Sequence, residues 1–96
     1  MKSFLFALAA LAATSSYAAE PTAEAMAATC AACHGTHGKL GTMEYMPLAG
    51  MAETEFVRAM KDFRSGKRLS TLMGHVANGF DDNEIRAMAR YFATIK

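Results

Sequence analysis

Two thiols and an imidazole stand together in the run Cys30-Ala31-Ala32-Cys33-His34. Residues three apart on a helical turn share a side, so both sulfurs can reach one flat partner and the imidazole that follows can lie beneath it. That spacing is the signature of covalent c-type haem attachment. Each thiol adds to one vinyl group of a porphyrin as a thioether, and a ring nitrogen of His34 binds the iron as proximal ligand. Three other chemistries compete for these residues. A redox dithiol of the thioredoxin kind needs a strand and a βαβ pattern nearby, whereas this chain shows mainly helical apolar spacing. A closed structural zinc site needs about four ligands; there is no third cysteine, and His37 and His75 hold no ligand spacing with the pair. A disulfide across two intervening residues closes too short a loop to constrain the unfolded chain much. The spacing favours haem.

Iron held by His34 has a sixth position to fill or to leave open. The candidates are Met26, Met43, Met46, Met51, Met60, Met73, Met88, His37 and His75. Thioethers fill irregular gaps in cores, so most of the eight methionines serve packing or the surface. Met26, Met60 and Met88 fall in helical patterns and read as core. Met43 and Met46 follow closely on the haem motif, on a segment that must pass the His34 side. Met73 lies on a loop between two predicted helices and far along the chain from His34, so it can approach the opposite face and is taken as the distal ligand, with Met51 and His75 as competitors. Were none of them to bind, an open iron could reduce peroxide or hold small ligands.

The elements that must position these residues begin after a leader. Lys2 supplies a short positive region, Phe4 to Ala13 is apolar, and Ser16-Tyr17-Ala18 offers the small residues a signal peptidase reads. The run is too short for a membrane span, which takes about twenty apolar residues. Residues 1–19 therefore read as a cleaved signal peptide and 20–96 as one exported domain, periplasmic in a bacterial cell, where thioether cytochromes mature. No cysteine at the cut provides for a lipid anchor. A domain of this size has a marginal core of its own. A buried porphyrin enlarges that core and stabilises the folded state by linkage, so the apo-protein is expected to fold poorly.

Charge gives little direction. Ten Lys and Arg stand against nine Asp and Glu, and losing Lys2 with the leader leaves nine against nine. Nothing here suits nucleic acid. Arg58, Lys61, Arg64, Lys67 and Arg68 cluster in one stretch and Asp81, Asp82 and Glu84 in another, which reads as a solvated helix face followed by a helix N-terminus.

Thr22 reads as a cap and Glu24 as a first-turn acid for a helix running from Ala23 to Ala32 straight into the haem motif. Gly35, Gly38, Gly41, Pro47 and Gly50 then mark a loop that wraps a cofactor. A second helix spans Glu53 to Ser65, closed by Gly66, with Phe56, Met60 and Phe63 on one face. Lys67 to Gly79 lacks a clean period. A third helix spans Asp82 to Thr94, capped by Asp81 or Asp82, and buries Ile85, Met88, Ala89 and Phe92. The fold class is all-α.

This order of a helix into Cys-x-x-Cys-His-Gly, a loop with Pro47-Leu48-Ala49-Gly50, a middle helix, a Met loop and a last helix ending Tyr91-Phe92 resembles the class I cytochromes c over essentially all of residues 20–96. Ser65-Gly66-Lys67-Arg68, Thr71-Leu72-Met73-Gly74 and Ala77-Asn78-Gly79-Phe80, running into Asp82-Asn83-Glu84-Ile85, look more particularly like the cytochrome subunit of flavocytochrome c sulfide dehydrogenases. The resemblance implies a small helical domain around one haem c, with Cys30 and Cys33 as thioether residues, His34 as proximal and Met73 as distal iron ligand. It also implies a backbone carbonyl near Pro47 that accepts a bond from the other nitrogen of the proximal ring, and Arg68 near a propionate. Related chains often carry Gln where this one has Met51. The implied function is single-electron transfer without catalysis on this chain, from a flavoprotein subunit that oxidises sulfide to a downstream acceptor. A free shuttle serving an oxidase or another redox enzyme is the alternative.

Overall fold

The computed structural model describes residues 19–41 and 46–96. The leader expected over 1–19 lies, Ala19 apart, outside the described residues, as does Met43. Among the described residues the chain forms five α-helices and one 3-10 turn, with no strand. The helices are α1 (Ala23–Ala28), α2 (Ala31–His34), α3 (Glu53–Ser65), α4 (Met73–Asn78) and α5 (Asp82–Thr94). The 3-10 turn is Thr36–Gly38. The all-α expectation holds. No described helix is long and apolar enough to cross a membrane.

Local chemistry sets the ends of these helices. Thr22 caps α1 by accepting the Ala25 N–H at 3.1 Å. Asp81 and Glu84 form a reciprocal capping box at α5, in which each side chain satisfies a backbone N–H that the first turn leaves without a partner. Gly66 ends α3 in the left-handed region, as read from the sequence.

Two expectations need correction. The first helix does not run unbroken to Ala32: it stops at Ala28 and a new turn begins at Ala31. At the break the Thr29 and Cys30 N–H groups bond three residues back, to Met26 and Ala27. The Thr29 hydroxyl also donates to the Met26 carbonyl at 2.7 Å, drawing that acceptor away from helical continuation. Residues 67–79 are not all loop either, since Met73–Asn78 form α4. Ser70 Oγ accepts the Gly74 N–H at 2.9 Å there, and the short helix packs on α3.

α5 is the spine. Both α1 and α3 pack against it, and Ile85, Met88, Ala89 and Phe92 are fully buried, the stripe expected from their spacing. Met26 and Ala27 come from α1, Phe56 and Met60 from α3, Ala77 from α4 and Leu48 from the loop. Met26, Met60 and Met88 are thus core, as their helical positions indicated. Phe56 and Phe92 tilt against each other with ring centroids 5.5 Å apart, while Phe63 is only half-buried and carries the Arg68 guanidinium 4.7 Å above its ring.

The basic stretch on α3 is more than a solvated face. Arg64 donates to the Phe80 carbonyl at 3.2 Å and pairs with the Asp82 carboxylate, tying α3 to the start of α5. The bond from Arg64 holds the Asp82 carboxyl below its usual range. A depressed carboxylate stabilises the fold above its ordinary pKa, and that contribution is lost as pH falls through the lowered value. Water screens this surface pair, so the effect is small.

Candidate haem-binding site

One turn of backbone sets the spacing of the two thiols. The Cys33 and His34 N–H groups both bond to the Cys30 carbonyl, at 3.3 and 2.9 Å, and Gly35 N–H bonds to Ala31. This is the helical turn that the i, i+3 argument requires. Both sulfurs are free thiols rather than a disulfide. Cys30 is half-buried against the core and Cys33 is exposed. Burial pushes the Cys30 thiol up, opposed by a bond with Thr29 and reinforced by Cys33.

Gly35 turns the chain sharply after the motif, at φ 83. An added Cβ there would fall 2.0 Å from the Lys39 carbonyl oxygen, inside any allowed contact. The chain folds back at once into the 3-10 turn and then, from Met46, passes alongside His34. There the His34 Nδ1–H donates to the Met46 carbonyl at 2.6 Å. Because a carbonyl can only accept, the proton resides on Nδ1, and in the neutral ring Nε2 carries the lone pair. The acceptor is the carbonyl that immediately precedes Pro47, next to the place the resemblance implies. Ligating histidines typically bond through their other nitrogen in this way, which fixes the tautomer and ring orientation.

The other candidates are spread more widely. Met73 opens α4, half-buried, and packs against the same core that Cys30 touches. Met51 is also half-buried against that core, while His75 is exposed on α4. Among the described residues no group of three or more His, Cys, Asp or Glu converges to hold a metal ion. His37 turns away from ligand duty to meet Tyr91 Oη at 2.8 Å. That contact has no signal in the sequence, since 54 residues separate the partners.

Exposed apolar surface adds a second fit. Among the described residues the large apolar side chains left in water are Met46, Leu69, Leu72 and Val76, with Leu69 91% and Leu72 61% exposed. Met46 adjoins His34 through its carbonyl, and the other three flank Met73 in the chain. A porphyrin is a broad apolar plate. Thiols at thioether spacing, an imidazole whose proton is held on Nδ1 and apolar side chains near both candidate ligands in the chain suit it. Two open surface hollows, of about 540 and 580 Å³, lie elsewhere and include none of Cys30, Cys33, His34 or Met73.

No protein-family model matches the chain, and no curated protein matches it significantly.

The tight turn at Gly35 yields a prediction. Gly35→Ala should destabilise the protein by about 2–4 kcal/mol, because it combines a backbone clash with a strained positive φ. Gly41→Ala, where a Cβ meets nothing within 4 Å, should stay within about 0.5 kcal/mol. Denaturant midpoints of the two variants measure the difference, and equal midpoints would remove the turn from the site's support.

Proposed function

We propose that this chain is a periplasmic monohaem c-type cytochrome, of the class I kind, that carries single electrons and does no bond chemistry of its own. The observation that carries the reading is the His34 Nδ1–H bond to Met46, set directly after a one-turn Cys-x-x-Cys pair with both thiols free. Cys30 and Cys33 would hold haem c through thioethers, His34 Nε2 would bind its iron, and Met73 would be the distal ligand. Haem so held supplies a one-electron ferrous/ferric couple, whose potential His/Met ligation and burial raise.

The chain's own residues do the rest. Met46 keeps a proton on His34 Nδ1 and so keeps the lone pair on Nε2. Leu72, just before α4, and Val76, on α4 with Met73, offer apolar surface that would keep water from the distal side. A flavoprotein that oxidises sulfide is the proposed donor, on the strength of the Ser65 to Ile85 resemblance. A near-neutral surface agrees with a docked subunit, because stable interfaces rest on an apolar centre more than on a charge field, whereas a free shuttle more often relies on charge steering. A downstream carrier accepts the electron.

The ligand assignment predicts that Met73→Ala abolishes the weak sulfur-to-iron band of the ferric spectrum, lowers the midpoint potential and admits carbon monoxide to the reduced form. Met51→Leu should leave all three unchanged, and the reverse pattern would move the distal ligand to Met51.

The partner assignment predicts that tagged chain expressed in its native periplasm retains a flavin-containing partner at high salt and that sulfide reduces its haem in the presence of that partner. Recovery of the cytochrome alone at both low and high salt, with no reduction by sulfide, would leave a free electron shuttle.

A further inference from the structure

His37 is the only non-glycine among the described residues with a positive φ, at φ 56 and ψ 23. Glycine takes that conformation without strain, and a side chain there is retained at a cost. Its neighbours Gly35 and Gly38 both use glycine for their positive φ. Something in the His37 side chain therefore offsets the strain, and the structure supplies one contact for it: Nδ1 lies 2.8 Å from Tyr91 Oη on α5, with either partner able to donate according to tautomer.

That contact sits on a short mechanical path to His34. Gly38 follows His37 and is seated so closely on α5 that an added Cβ would fall 2.9 Å from Phe92 Cε1. The Gly38 carbonyl accepts the N–H groups of Leu48 and Ala49, at 2.9 and 3.1 Å, and Gly50 N–H donates to the Phe92 carbonyl at 2.8 Å. The segment 46–50 is thus suspended between Gly38 and α5. Its first member, Met46, provides the carbonyl that orients the His34 ring.

We propose that His37 and Tyr91 form a positioning pair that pins the Thr36–Gly38 turn to α5 and thereby sets the plane of the His34 imidazole. The proposal rests on the reading of His34 as the proximal iron ligand. Neither residue is an iron ligand on that reading. Both act through Gly38, the 46–50 segment and the Met46 carbonyl.

The test uses protein matured with its haem, as wild type, Tyr91→Phe, His37→Gly and the double variant. Tyr91→Phe removes only the hydroxyl and keeps the edge-on packing against Phe92, whose ring centroid is 5.4 Å away. His37→Gly removes the imidazole and relieves the backbone strain, so the two changes differ in their backbone effect. The readout is the ferric haem-methyl proton NMR pattern, which follows the orientation of the axial histidine plane, read beside the denaturant midpoint. Both single variants should shift the methyl resonances in the same sense, and the double variant should shift them no further than either single. A purely structural contact would instead make the NMR pattern follow stability. Wild-type methyl patterns in both singles, or additive shifts in the double, would overturn the proposal while leaving the electron-carrier reading intact. Wild-type protein that carries no covalent haem would overturn both.

Discussion

A neutral imidazole offers one lone pair, and the nitrogen that carries it is decided by where the other nitrogen's proton is held. In this chain the Met46 carbonyl holds that proton on His34 Nδ1, and much of the surrounding structure can be understood as keeping that carbonyl in place. Met46 precedes a proline, whose ring restricts the backbone before it. The next residues hang from the Gly38 carbonyl, Gly38 rests on Phe92, and Gly50 bonds to the end of α5. One buried aromatic thus serves as the anvil for both the Thr36–Gly38 turn and the segment that orients the motif's histidine.

The same arrangement exposes how little core the domain has. Two buried aromatics, three methionines and a handful of smaller apolar side chains make up its buried set among the described residues. Meanwhile Leu69 and Leu72 stand in water. Small domains bury a modest fraction of their surface and lean on a metal, a disulfide or a ligand. The two thiols are unbridged, and on the proposed reading a covalently held apolar ligand would enlarge this core. Binding confined to the folded state would couple folding to haem attachment.

Much of this was legible in the sequence because it depends on local periodicity. The α5 stripe, the Gly66 stop, the Thr22 and Asp81 caps and the three core methionines all follow from 3.6-residue spacing and capping chemistry. What escaped depends on competition or on distance. The break between α1 and α2 arises because Thr29 bonds back to Met26, a choice that composition does not announce. α4 is too short for periodicity to reveal, although Ser70 and Asn78-Gly79 marked its ends in hindsight. Arg64 read as solvated because its partners, Phe80 and Asp82, come from the far side of α4 in the chain. The motif residues themselves were plain from spacing alone, while the bond of His34 to Met46 could be placed only through resemblance until the loop was seen.

Covalent attachment of haem at Cys30 and Cys33 can be read from a peptide map. No Lys or Arg lies between Lys2 and Lys39, so trypsin releases the whole motif in one peptide ending at Lys39. From protein matured in the periplasm, that peptide should carry the added mass of one haem and no alkylatable thiol. A peptide of unmodified mass that takes up two alkyl groups would rule out covalent haem on this chain.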